Sequence, residues 1–279
     1  MSNLRIKNRK EIQELFRVFN NYSNEAEIRF VGGCLRKLIN NEEVDDIDLS
    51  TNLNPENIVQ ILKNNNINFH ETGIDHGTVT AVINQKKFEI TSLRKDIKTD
   101  GRHAQVEFTK NWLEDASRRD FTINAIYSDI EGNLFDPFNG KKNLEDGEVK
   151  FIGDPVERIR EDYLRILRYL RFFLDYSMEE HDPEIIKKLK INIGGVSQLS
   201  KERLIEELKK MLNLRLLEKI SNDKLSLDLI LVIFPELKNF KIFSKLSQHQ
   251  KKLLNKNDFI FLFSLLVIDG TDNLDYFLY

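Results

Sequence analysis

The chain has 279 residues, 41% of them hydrophobic and 31% charged, with a net charge of −3. This balance describes a soluble globular polypeptide with apolar mass for one large domain or two modest ones. The single cysteine, Cys34, excludes an internal disulfide framework and any cysteine-based zinc cluster. The longest apolar run, Phe259 to Ile268, has ten residues, whereas a membrane-crossing helix needs about twenty, so no membrane partner is expected. The first residues carry Glu11 and Glu14 and no apolar signal core, which predicts a reducing, cytoplasmic setting.

In chain order, Glu27–Val31 reads as a strand broken by Gly32-Gly33, and Cys34–Ile39 as a helix start. Asp46–Thr51 alternates polar and apolar, as a half-buried strand does, and Pro55–Asn64 is helical with proline in the first turn. Thr78–Ile83 and Lys87–Thr91 read as strands joined by an Asn84-Gln85-Lys86 turn. Leu93–Gln105 is polar, charged and glycine-containing, which predicts a mobile loop. Phe121–Ile126 reads as a helix, and Tyr127–Ile130 and Asn133–Phe135 as strands around a Glu131-Gly132 turn. Beyond Asp136-Pro137-Phe138-Asn139-Gly140 the pattern becomes almost wholly helical. Charge divides in the same way: Ile185 to Lys256 holds 16 Lys/Arg against 7 Asp/Glu, a surface suited to a polyanion or simply a solvated helical face.

Asp46 and Asp48 flank Ile47, so on a strand both carboxylates share one face while the isoleucine points inward. Such a pair suits Mg²⁺, including a two-ion site that takes substrate phosphates. An isolated DxD also reads as two solvated acids at a strand edge. Gly32, Gly33 and Arg36 lie just upstream at a strand-to-helix junction, where small residues admit a phosphate and the guanidinium supplies donors.

RRDFTINA, Arg118 to Ala125, is expected to open a helix. There Arg119 would meet a triphosphate, Asp120 would orient an arginine or cap the helix, and Asn124 would reach a ribose hydroxyl one turn later. Asp162, Arg165, Arg168 and Arg171 recur every three residues and predict a polar stripe on one helix. A surface salt bridge fits that spacing, and so does a nucleobase reader. A guanidinium offers donors to cytosine O2 and N3 or adenine N1, and a carboxylate accepts from their amino groups. Uracil and guanine present the opposite pattern and would be refused.

GGCLR, DIDLST, TDGRHA, RRDFTINA, LFDPFNG and EDYLRILRYLRF stand in one order across about residues 28 to 176. Together they resemble the class II tRNA nucleotidyltransferases, the CCA-adding enzymes of the polymerase-β superfamily, and the related poly(A) polymerases. The resemblance implies an α+β fold: a polymerase-β-like head over residues 1–140, built as a small mixed sheet with flanking helices. A helical neck over 141–195 and a helical body over 196–279, with a shortened tail, would follow. It implies Mg²⁺ on Asp46 and Asp48 in a two-metal site, with Glu89 as a candidate third carboxylate. It further implies nucleotide contacts from Gly33 and Arg36, triphosphate contact from Arg119, and base selection by Asp162 and Arg165 supported by Arg168 and Arg171. The implied substrates are CTP, ATP and the acceptor and T-arm of tRNA, and oligomeric state stays open. One departure stands out: Lys37 follows Arg36 where the family usually has aspartate. Poly(A) addition, partial CC or A addition, and a catalytically inactive RNA-binding relic remain as alternatives. His76 to Ile83 lacks the basic, aromatic signature expected of a poly(A) polymerase, and the Asp96 to His103 loop expected to be missing from CC-only enzymes is present.

Overall fold

The computed structural model describes residues 6, 9–44, 46–98, 105–256 and 258–268. They form two compact units, Met1–Gly153 and Asp154–Tyr279.

The first unit runs α1 Lys10–Asn20, β1 Ile28–Val31, α2 Gly33–Ile39, β2 Ile47–Thr51, α3 Pro55–Asn64, β3 Asn68–Gly73, β4 Thr78–Ile83 and β5 Lys86–Ser92. It continues through β6 Arg94–Lys98, β7 Gln105–Phe108, α4 Trp112–Ser117, β8 Tyr127–Ser128, β9 Leu134–Phe135 and α5 Gly140–Asp146. Seven strands make one sheet in the order β3-β4-β5-β2-β1-β8-β9. Its pairings are antiparallel except that between β2 and β5.

Alternation decides which side of the sheet becomes the core. Val79, Ala81 and Ile83 of β4, Phe88 and Ile90 of β5, and Ile47 and Leu49 of β2 are buried against Ile12, Leu15, Phe19, Ile58 and Leu62 of α1 and α3. The intervening residues of β2, β4 and β5 are left for the opposite face. α3 starts where Asn54 accepts from the Asn57 N–H at 3.0 Å and Pro55 occupies the first turn. The β4–β5 reversal places Asn84 and Gln85 at φ 50° and 65°, the left-handed pair that a two-residue hairpin turn demands.

Two sequence expectations change here, and one strand had carried none. Leu93–Gln105 is not simply a loop, because β6 lies within it and pairs antiparallel with β7, which begins at Gln105. Residues 99–104, the TDGRHA segment, lie outside the described residues. Phe121–Ile126 is no α-helix: only a single 3-10 turn forms, Thr122–Asn124, because Phe121 is drawn into a bridge with Phe151 and the backbone leaves helical geometry. β3 had no sequence signal, since NFHETG is a largely polar edge strand.

The second unit is helical: α6 Pro155–Glu161, α7 Leu164–Tyr176, α8 Pro183–Asn192, α9 Lys201–Met211, α10 Leu214–Asn222, α11 Lys224–Ile233, α12 Gln248–Leu254 and α13 Phe259–Val267. Its core includes Ile166, Leu167, Leu170, Leu189, Leu208, Leu216 and Ile230. Among the described residues no helix is long and apolar enough to cross a membrane.

Candidate active site

β2 turns Ile47 and Leu49 into the core and leaves Asp48 on the other face, half-buried. Asp46 is exposed in the bend just before the strand begins, so the expected strand starts one residue later at Ile47. The parallel pairing sets Asp48 directly beside Glu89 of β5, and side chains at paired positions share a face. Burial, followed by the negative charge of Glu89, pushes the Asp48 carboxyl above the ordinary aspartate range, while Arg119 and Arg36 pull it partly back. Two acids and two guanidinium groups therefore act on one another across one patch of the sheet.

The strand-to-helix junction provides room there. Gly32 has φ +69°, and a Cβ built on it would stand 3.4 Å from Asp48 Oδ2. A side chain at this position would be strained and would crowd the carboxylate. Arg36, buried one turn into α2, donates to Asn124 Oδ1. Asn124 in turn donates from Nδ2 to Asp120 Oδ1 at 2.6 Å. Asn124 thus lies in a 3-10 turn rather than on an α-helix, and there it is a buried strut that fixes Arg36. Asp120 also accepts from the Phe121 N–H at 2.9 Å, which stabilises the turn rather than capping a helix. Lys37 leaves the grip on Arg36 intact because Asn124 supplies it.

Arg119 is held more firmly. Its Nε and Nη2 donate to Asp115 Oδ2 at 3.2 and 3.1 Å, and its Nη1 donates to the Asn124 carbonyl at 3.2 Å. Tyr127 donates its hydroxyl proton to the same Asp115 oxygen at 2.6 Å, and Arg118 grips Oδ1 at 2.7 and 2.8 Å. Asp115 is 1% exposed. Burial would raise its pKa, but the charges of Arg119 and Arg118 outweigh burial and hold it far below the carboxylate range.

In the second unit, Asp162 ends α6 in an extended conformation, φ −155° and ψ 104°, and α7 begins at Leu164. The expected continuous helix is therefore broken, and Asp162 does not share a helix with the three arginines. Its Oδ2 meets Arg203 Nη2 at 2.7 Å, and its Oδ1 accepts from the Leu164 N–H at 3.2 Å. Arg165 Nη1 pairs with Glu161 Oε2 at 2.6 Å and also donates to the Arg158 carbonyl. Arg171 Nε lies 2.6 Å from Glu207 Oε1, and Arg168 Nη1 lies 4.0 Å from Glu207 Oε2. The arginine stripe is thus neutralised from within by acids of α6 and α9.

A model of the poly(A) polymerase head domain matches residues 28–150. The human mitochondrial CCA tRNA nucleotidyltransferase 1 is 43% identical over 206 residues, 73% of this chain and 46% of its own length. The CCA-adding enzyme of Lactobacillus johnsonii is 38% identical over 194 residues, 67% of this chain and 47% of its own. A crystal structure of a tRNA nucleotidyltransferase complexed with a primer tRNA and an incoming ATP analog matches with a TM-score of 0.68 at 25% identity, covering 91% of this chain and 75% of that one. Residues 28–150 thus match a poly(A) polymerase head domain, and the chain is similar there and beyond to tRNA nucleotidyltransferases. It spans less than half the length of the curated relatives it matches.

In a head domain of this kind the carboxylate patch fits a divalent cation. Among the described residues no hydrogen bond or ion pair engages the Asp48 side chain, and its charged form is disfavoured by burial and by Glu89. A cation relieves both costs. Among the same residues no group of three or more His, Cys, Asp or Glu is arranged to hold a metal ion. The Asp115–Tyr127 pair, Glu161, Arg203 and Glu207 were not singled out by sequence motifs. The four-residue spacings of Asp115 to Arg119 and of Glu161 to Arg165 are the kind of local cue that could have found two of them.

Proposed function

We propose that the chain adds C and A nucleotides to the 3′ end of tRNA from CTP and ATP, without a nucleic-acid template, releasing pyrophosphate. The observation that carries this reading is the pairing of Asp48 with Glu89 on the open face of the sheet, within the field of two immobilised arginines. The printed names of the curated relatives, CCA tRNA nucleotidyltransferase and CCA-adding enzyme, support the substrate class.

Asp46 and Asp48, with Glu89 alongside, would hold Mg²⁺, which would supply charge neutralisation at the reacting phosphate and acidify the attacking 3′-hydroxyl. The remaining work belongs to the chain's own side chains. Arg119, with its guanidinium orientation fixed by Asp115 and Tyr127, presents positive charge to the triphosphate without having to reorganise during transfer. Arg36, fixed by Asn124, does the same at the α2 junction, and Gly32 leaves that approach open. Asp162 and Arg165 supply the acceptor and donors that match the edges of cytosine and adenine. The basic stretch from Ile185 to Lys256 meets the phosphates of the acceptor and T-arm, reading shape more than sequence.

The test is primer extension with a tRNA lacking its terminal CCA, each nucleotide triphosphate offered separately, and Mg²⁺. The expected products carry C, C and then A, and Asp48→Ala abolishes them while leaving Trp112 fluorescence native. Runs of A alone would assign poly(A) addition instead. Binding without extension would assign the RNA-binding relic.

A further inference from the structure

We propose that the open face of β5, β4 and β3, where Lys87, Thr80 and His70 stand, holds the last phosphodiester and ribose of the RNA primer. The inference rests on the nucleotidyl-transfer reading above and adds to it the place of the second substrate.

Strand register brings these side chains into line with the acids. Asp48 of β2 pairs with Glu89 of β5, Glu89 with Thr80 of β4, and Thr80 with His70 of β3. Residues at paired positions share a face, so these side chains stand in one row across the sheet. With neighbouring strands about 4.8 Å apart, the row extends about 14 Å from Asp48. Lys87, two residues before Glu89 on β5, lies on the same face. Lys87, Glu89 and His70 are exposed and Thr80 is half-buried, whereas Val79, Ala81, Phe88 and Ile90 turn the other face into the core. Among the described residues, no hydrogen bond or ion pair engages the side chains of Lys87, Thr80 or His70. Unspent donors therefore line a surface that begins beside the reacting acids.

The direction of the reaction assigns them a substrate. β2 stands between β5 on one side and β1, then β8, on the other. Both arginines belong to the second side: Arg36 follows β1 on α2, and Arg119 is held by Tyr127 of β8. A triphosphate drawn to them has its departing pyrophosphate on that side. In-line displacement sets the attacking oxygen opposite the leaving one, so the primer 3′-hydroxyl arrives over β5. The chain behind that hydroxyl then lies over β4 and β3.

The side chains suit that occupant. A phosphodiester is anionic and only accepts hydrogen bonds, and Lys87 supplies a cationic donor. Its charge also offsets the repulsion that Asp48 and Glu89 exert on an approaching phosphate. The Thr80 hydroxyl can donate to phosphate or exchange a bond with a ribose 2′-hydroxyl, and the His70 imidazole offers an N–H in either tautomer. Contacts of this kind carry no sequence information, which fits a primer whose last base changes with each addition.

His70→Ala, Thr80→Val and Lys87→Ala, singly and together, are compared with the wild-type chain in extension of tRNA lacking CCA, with KM for tRNA and for CTP recorded separately. Each single variant is expected to raise KM for tRNA about fivefold, and the triple variant more, with KM for CTP unchanged. A primer whose last phosphodiester is replaced by an uncharged methylphosphonate gives a second readout. It should weaken the wild-type chain about as much as a single variant does, and weaken the triple variant no further. Equal rises in both KM values, no rise at all, or an undiminished methylphosphonate penalty in the triple variant overturns the proposal while leaving the nucleotidyl-transfer reading intact. A wild-type chain that extends no primer overturns that reading and the proposal with it.

Discussion

Asp115 is the most heavily used carboxylate of the first unit, and removing it should cost more than any exposed ion pair would. Four guanidinium N–H contacts at 2.7 to 3.2 Å and one phenol contact at 2.6 Å converge on it. Removing one partner of a buried ionic cluster typically costs about 3–5 kcal/mol, because the opposite charges are left without compensation. Here Arg118 and Arg119 keep side-chain exposures of 17% and 18%, so water reaches them in part and Asp115→Ala is expected to lose about 3 kcal/mol. The assay is denaturant unfolding followed by fluorescence. The chain has one tryptophan, and Trp112 lies 5.2 Å from the Tyr127 ring, inside this network. Its emission therefore reports on the first unit. The pH dependence gives a second check. Because the folded pKa of Asp115 is depressed, its ionic contribution is complete above the unfolded value of about 4 and is lost as pH falls from there toward the folded value. The stability gap between wild type and Asp115→Asn should thus be widest near neutrality and shrink in acid. A gap below about 1 kcal/mol at pH 7, the range of an exposed pair, would refute the reasoning.

Gly32→Ala places a side chain at a positive φ beside Asp48; we expect about 1–3 kcal/mol of strain and at least a tenfold loss of extension, measured by primer assay and unfolding together. Gly140→Ala would drive a Cβ into the Thr122 carbonyl, which is backbone and cannot turn aside; about 3 kcal/mol or more should be lost, read by the same tryptophan. Glu207→Gln halves the partnership that holds Arg171 and Arg168, and a loss of about 2 kcal/mol should appear in thermal unfolding followed by circular dichroism.

The alternation in TVTAVI and DIDLST was enough to place β4 and, from Ile47 onward, β2, because period-two patterning is local. The same locality misled at RRDFTINA. Its residues suit a helix, yet the Phe121–Phe151 bridge and the approach of Gly140 to Thr122 hold the segment in one 3-10 turn. Charged β6 looked like loop for a related reason: Lys95 is paired across the hairpin with Glu107 at 3.3 Å, a partner that adjacent residues do not reveal. At the site, the acids and arginines were visible as residue types. What holds them was not, since Asn124 meets Arg36 and Arg203 meets Asp162 only through tertiary folding.

The parallel pairing of β2 with β5 has a consequence for how errors in this chain would show themselves. Parallel neighbours cannot be joined by a tight turn, so α3, β3 and β4 intervene before Glu89 arrives opposite Asp48. Slipping β5 by one residue would exchange Glu89 for a hydrophobic neighbour and send the acid toward the apolar layer. A mispaired sheet would thus forfeit its second acid and bury a charge at the same moment, so faulty assembly and lost chemistry would be detected as one event.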